Sequence, residues 1–172
     1  MRTVIVGPRP PEIDALIARR HALGQDTHDE VWEGEYHMNA APHARHAIVA
    51  WRVGSALDGH LPPGFTVATE LNIGAPANFR VPDLAVIREA DAALYMPTAA
   101  LVVEVVSPGD ESRQKFEHYA EHAVGEVLVV DPDTRTVELF VLADGGAYTS
   151  AQRSPLTGVD LTDLSAAIRW PA

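Results

Sequence analysis

Residues 99–107 read Ala99-Ala100-Leu101-Val102-Val103-Glu104-Val105-Val106-Ser107, a near-continuous aliphatic run interrupted by one carboxylate. A strand covered on one face alternates apolar and polar side chains, whereas a strand covered on both faces reads as an unbroken run. This stretch therefore predicts a central β-strand with structure packed on either side. Ser107-Pro108-Gly109 breaks it. Residues 110–123 then carry Phe116, Tyr119, Ala120 and Ala123 at i, i+3, i+4 and i+7, the spacing of one apolar helix face.

Working outward, residues 11–23 place Ile13, Leu16, Ile17 and Ala18 on a helical period that Gly24 stops. Residues 28–39 read as two short strands about Glu33-Gly34, a turn in which glycine supplies positive φ. Residues 44–57, with Ala47, Ile48, Val49, Trp51, Val53 and Leu57, predict a mostly buried helix ended by Gly59 and Pro62-Pro63. Residues 66–73 and 79–87 alternate as two strands joined by a turn at residues 74–76. Residues 126–130 and 137–142 form a hairpin around Asp131-Pro132-Asp133, followed by a strand near Tyr148 and a short helix over residues 161–168. Strands interleaved with helices place the chain in the α/β class.

The chain has 172 residues, which predicts one domain over residues 1–172 with a continuous core. Its hydrophobic fraction of 47% and charged fraction of 22% are those of a soluble globular protein. No apolar run approaches the ~18 residues that cross a bilayer, and the N-terminal stretch lacks the long apolar region of a secretory signal. No membrane is expected as a partner. The absence of cysteine excludes disulfides and thiolate metal sites, so the expected location is cytoplasmic. The net charge of −11 argues against a broad phosphate-gripping surface, which is normally basic. A small local groove or a metal could reverse that balance.

Glu104 is the most informative position. A carboxylate in a buried strand costs several kcal/mol unless a cation or metal compensates it. Asp83 repeats the pattern in Phe79-Arg80-Val81-Pro82-Asp83-Leu84-Ala85-Val86-Ile87, where Asp and Pro are poor strand formers. If the strands are neighbours, the two carboxylates converge as hard ligands suited to Mg²⁺ or Mn²⁺. Lys115 flanks the apolar face of the next helix and can reach back to the strand end. Taken singly, each has a bland alternative: a structural ion pair for Glu104, a turn cap for Asp83, a solvated Lys115.

Other candidates carry less. His118 and His122 have the i, i+4 spacing of a helical metal pair, but Tyr119-Ala120-Glu121 does not put the general base of a zinc protease in place. His43 and His46 precede the second helix and read as surface or capping residues. Arg45, Arg52 and Arg80 could line a phosphate groove. Trp32 and Trp51 read as core.

The segments Glu30-Val31-Trp32-Glu33-Gly34-Glu35, Val81-Pro82-Asp83, Val103-Glu104-Val105-Val106-Ser107-Pro108, Lys115-Phe116-Glu117-His118-Tyr119 and Val129-Val130-Asp131-Pro132 together resemble the Uma2 family. That family, also called a putative restriction endonuclease domain, belongs to the PD-(D/E)XK nuclease-like superfamily. The resemblance covers about residues 25–165. It implies a restriction-endonuclease-like core, a mixed central β-sheet flanked by helices, and a metal-dependent endonuclease acting on nucleic acid, with DNA the expected substrate. By the same resemblance, Asp83, Glu104 and the Val105 carbonyl hold Mg²⁺ or Mn²⁺, and Asp83, Glu104 and Lys115 are catalytic. Glu30, His46 and Tyr119 are accessory. The superfamily pattern puts lysine two residues after the Glu, where this chain has Val106; Uma2-like proteins supply it from the following helix, here as Lys115. The competing expectation is a binding or scaffold protein that keeps the fold without turnover. A homodimer is the expected assembly.

Overall fold

The computed structural model describes residues 3–7, 9–107, 109 and 111–171. Pro108 in the predicted strand break and Asp110 at the predicted helix start lie outside them. Among the described residues the architecture is mixed α/β, with two six-stranded mixed sheets and four α-helices. The first sheet contains β1 (Thr3–Ile5), β2 (Glu30–Trp32), β3 (Glu35–Met38), β5 (Asn72–Ala75), β6 (Asn78–Arg80) and β8 (Tyr95–Met96), in the order β1-β3-β2-β6-β5-β8. The second contains β4 (Phe65–Ala68), β7 (Leu84–Arg88), β9 (Leu101–Val105), β10 (Glu126–Asp131), β11 (Thr136–Leu142) and β12 (Tyr148–Ala151), in the order β12-β11-β10-β9-β7-β4.

The strand opened on above is β9, and it is central: β10 pairs with it in parallel and β7 antiparallel. All five of its residues are buried. Its period of two divides them between two cores. Leu101, Val103 and Val105 join the cluster built with α2 (Ala44–Asp58) and α4 (Leu161–Ile168). Val102 faces the other cluster, with Ile73 and Tyr119, and Glu104 stands on that same face.

The two strands expected over residues 66–73 and 79–87 are four, because each breaks midway and its halves enter different sheets. Between β6 and β7 the break is Val81-Pro82-Asp83, where Pro82 has no N–H to continue a ladder. Asp83 therefore sits where the chain crosses from one sheet to the other. The hairpin of β5 and β6 turns at Pro76-Ala77. Gly74, opposite Phe79 in its ladder, has a φ of 126°, and a Cβ there would lie 2.4 Å from the Asn78 carbonyl oxygen. The turn between β2 and β3 has positive φ at both Glu33 and Gly34, the form that matches strand twist. β1 and β8 were not anticipated, since each is only two or three residues long.

α1 (Pro11–Ala22) opens with Pro11 and the acids Glu12 and Asp14 and closes with Arg19, Arg20 and His21, in line with the helix dipole. Its Arg20 grips buried Asp29 at 2.8 and 2.9 Å, and Tyr36 and the Asn39 N–H also donate to Asp29. That junction fixes the start of β2. The expected buried helix is α2, but only one face is buried: Val49, Val53 and Leu57 are inaccessible, whereas Ile48 and Trp51 are exposed. The helix expected over residues 110–123 is shorter, a 3₁₀ turn over Ser112–Lys115 running into α3 (Phe116–Glu121).

Candidate active site

Lys115 is the hub. Its 3₁₀ turn packs it inward, and its ammonium lies 3.0 Å from both Glu104 oxygens and 3.0 Å from Glu30 Oε1. Glu104 and Glu30 are 4% and 3% exposed, so these are ion pairs removed from water. The resemblance placed the lysine on the helix after the strand; in the structure it ends the 3₁₀ turn just before α3, from which its long side chain reaches back to the Glu104 carboxylate on β9.

Glu104 also accepts a hydrogen bond from the Tyr119 hydroxyl, and Ser112 Oγ lies 3.5 Å from its Oε2. The Glu104 carboxyl is pushed up to about 7, by burial above all, against the pull of Lys115 and with the added push of the Asp83 and Glu30 charges. Burial opposes the charge on Lys115, but Glu104, Glu30 and Asp83 outweigh it and hold the ammonium well above its ordinary range. Both groups thus shift upward, which disfavours charge on Glu104 and favours it on Lys115, and charge count explains the difference. One ammonium serves three carboxylates, so it gains from all while each of them shares it. Tyr119 is fully buried beside Glu104 and Glu30, which keeps its phenol protonated and donating.

Glu30 is no surface residue. Besides Lys115 it accepts from the Val81 N–H at 2.7 Å and from Trp32 Nε1 at 2.8 Å. It thereby ties β2 to the strand crossing that carries Asp83. Asp83 Oδ2 accepts from the Val105 N–H at 2.6 Å, and its Oδ1 lies 2.7 Å from His46 Nε2. His46 stands one turn before Val49 and Ala50, at the head of the buried stripe of α2, and its Nδ1 meets Ser107 Oγ at 2.9 Å. The surface or capping role foreseen for both histidines falls to His43, whose Nδ1 accepts from the Arg45 N–H.

A cleft of about 440 Å³ opens at Asp83 and His46, walled by Ala50, Trp51, Val67 and Pro82. Glu104, Glu30 and Lys115 do not line it. Trp51, read as core, is 67% exposed here. The three candidate phosphate-binding arginines do not reach the cleft. Arg45 is bound to Asp133 and the Pro132 carbonyl, Arg52 to the carbonyls of Ile168 and Arg169, and Arg80 to buried carbonyls while lying over the Trp32 ring.

The donor set fits a hard divalent cation. Three carboxylates against one ammonium leave two formal negative charges around the Asp83–Val105 bond. Among the described residues, no three of Glu30, His46, Asp83 and Glu104 bring ligand atoms within 4.8 Å of one another; His118, Glu121 and His122 do. A Mg²⁺ site that uses two carboxylates, a carbonyl and waters needs no tighter cluster. Of the contributing groups, Ser107 and Ser112 were not singled out as site residues from the sequence, and Trp32, read as core, donates to Glu30. Only Ser107 carried a signal, its place directly after the valine strand.

The family model described as "Uma2: Putative restriction endonuclease" matches residues 12–170. Among solved structures, the chain is similar to a putative nuclease of the group DUF820 from Anabaena variabilis, at a TM-score of 0.65 and 16% identity. That match covers 81% of this chain and 90% of the other. At this identity the likeness speaks for the fold. No curated protein matches the chain.

Proposed function

Since the chain belongs to the Uma2 family, we propose that it is a metal-dependent endonuclease hydrolysing phosphodiester bonds, with DNA as substrate and Asp83, Glu104 and Lys115 as its catalytic set. The carrying observation is the buried Lys115 ammonium held between Glu104 and Glu30 beside an Asp83 that opens onto a cleft. An acidic cluster buried in this way is costly to keep for packing alone.

Mg²⁺ or Mn²⁺ held by Asp83, Glu104 and the Val105 carbonyl would neutralise phosphate charge and lower the pKa of a water. The chain's own residues do the positioning. His46 and the Val105 N–H fix the two Asp83 oxygens, and Tyr119 and Lys115 fix Glu104. Lys115, paired with Glu104 and not lining the cleft, would act through its field on the charge that grows on phosphoryl oxygens as the P–O bond breaks. Water supplies the nucleophile, so no covalent intermediate with the protein is required. Glu30 holds Lys115 in place from the far side. The reading extends to one catalytic domain, a cytoplasmic location and a homodimer. Among the described residues, no helix is long and apolar enough to cross a membrane.

A second reading, a binding or scaffold protein without turnover, draws on the net charge of −11 and on a cleft whose described lining has no Lys or Arg. One assay separates the two. Single- and double-stranded DNA and RNA are incubated with the protein and Mg²⁺, Mn²⁺ or EDTA, beside Asp83→Asn. Metal-dependent cleavage of DNA that Asp83→Asn lacks is the expected result; intact substrates in every wild-type lane would leave the scaffold reading.

A further inference from the structure

In α3 and directly after it, His118, Glu121 and His122 each place one ligand atom within 4.8 Å of the others. His118 is 3% exposed. Its Nε2 lies 2.8 Å from the Ile73 carbonyl oxygen, which fixes the proton on Nε2 because a carbonyl can only accept. Nδ1 is then a lone pair, buried and without a hydrogen-bond partner. His122 shows the complementary arrangement, with Nδ1 2.9 Å from the His118 carbonyl oxygen, so its proton is on Nδ1 and Nε2 carries the lone pair. The two rings stack at 4.1 Å.

A histidine whose second nitrogen is held by a backbone carbonyl is the usual form of a metal-ligating histidine, since that bond sets both tautomer and ring direction. Here two histidines four residues apart are set in that way, and a carboxylate stands beside them. His118 and Glu121 border a depression of about 470 Å³ that also receives Glu33, Glu35 and Glu117, with Arg80 as the cation facing them. Burial pushes His118 down to about 4, so the ring is neutral and its lone pair available at physiological pH. Gly74 makes the site possible from below: a Cβ there would stand 3.1 Å from the His118 ring.

We propose that His118 Nδ1, His122 Nε2 and the Glu121 carboxylate bind a zinc ion, with water at the fourth position. Imidazole nitrogens with one carboxylate favour Zn²⁺ over Mg²⁺, which prefers oxygen ligands and waters. His118 is already fixed, whereas the exposed Glu121 side chain and the half-buried His122 ring, stacked on His118 at 29° between planes, would turn on binding so that both lone pairs meet one ion. The site is separate from the carboxylate cluster. It would clamp the end of α3, the helix whose Tyr119 reaches Glu104.

The test uses the full chain without a histidine tag, stripped by chelator and dialysed. Zn²⁺ is titrated against a chromophoric chelator, and Co²⁺ serves as the spectroscopic probe. The expected result is one equivalent of zinc and the strong visible bands of four-coordinate cobalt. Affinity should fall roughly 10–100-fold or more in His122→Ala and Glu121→Gln. Both residues are partly or fully exposed, so these variants keep the test sound even if His118→Ala fails to fold. Asp83→Asn should bind zinc as the wild type does. Zinc bound at well below one equivalent, zinc binding that survives both His122→Ala and Glu121→Gln, or binding lost in Asp83→Asn would each overturn the site.

Discussion

Glu104 and Glu126 stand on neighbouring parallel strands, β9 and β10, and are 4% and 3% exposed, yet the protein accommodates them in different ways. Glu126 is satisfied by neutral donors from one nearby loop: Ser154 Oγ at 2.7 Å on one oxygen and the Leu156 N–H at 2.7 Å on the other. Ser154 Oγ in turn accepts from the Thr157 N–H. Neither ion pair nor second acid figures among the causes of its upward shift, which is burial opposed by those two hydrogen bonds. Glu104 is held by an ammonium that it shares with another acid, and a third acid stands near enough to raise it further. One arrangement closes on itself. The other keeps excess negative charge, which is what a site for a cation and a phosphate needs.

The sharpest way to break this contrast is Lys115→Met. Removing one partner of a buried ion pair costs about 3–5 kcal/mol, and here it leaves two carboxylates uncompensated. For a chain of this size that is a melting temperature lower by roughly 10 °C, with cleavage lost. A Lys115→Met melt within about 2 °C of wild type would show that the ammonium is not holding the acids together.

The metal comes next in size. At a hundredfold excess over its Kd, binding to the native state alone adds about 2.7 kcal/mol, a rise of roughly 5–10 °C. Wild-type protein should show that rise with Mn²⁺, Asp83→Asn should lose most of it, and Glu126→Gln should keep it. An equal rise in wild type and Asp83→Asn would move the metal away from this cluster.

The smallest effects belong to Glu126. Glu126→Gln can still accept from the Leu156 N–H and donate to Ser154, so calorimetry near the ordinary carboxylate pKa should find it within about 1 kcal/mol of wild type. Its pH dependence is more telling. Because burial raises the folded pKa of Glu126 above the ordinary value, the unfolded chain loses this proton first as pH rises. Its contribution is therefore complete below the ordinary carboxylate pKa and is lost as pH rises through the folded value. The stability of wild type relative to Glu126→Gln should fall across that window. A difference that grows with pH would reverse the assignment and make Glu126 a stabilising charge.

The same pair shows what a sequence can and cannot say about a buried acid. Glu104 stands out because aliphatic residues flank it on both sides, whereas Glu126 opens its strand after Gly125 and reads as a strand end. Both are buried, because the Glu126 donors come from residues 154–156, far along the chain. Glu30 and His46 could be read as surface residues for the same reason. Their partners Val81, Lys115, Asp83 and Ser107 are remote in sequence, and nothing local marks the contact.

Local chemistry determined the α/β class, the central valine strand, the 33–34 turn and, among the described residues, three of the four helices nearly to their ends. These follow from period, turn residues and propensity, which act over a few neighbours, whereas the order of Asp83, Glu104 and Lys115 was legible only as a resemblance to a family. Tertiary structure alone decided that the strands part into two sheets at Pro82-Asp83 and that α2 hides only one face. It also decided that a lysine eleven residues after Glu104 stands between Glu104 and Glu30. Those outcomes depend on which remote surfaces meet, because the cost of burying a charge is set by the groups that surround it in space.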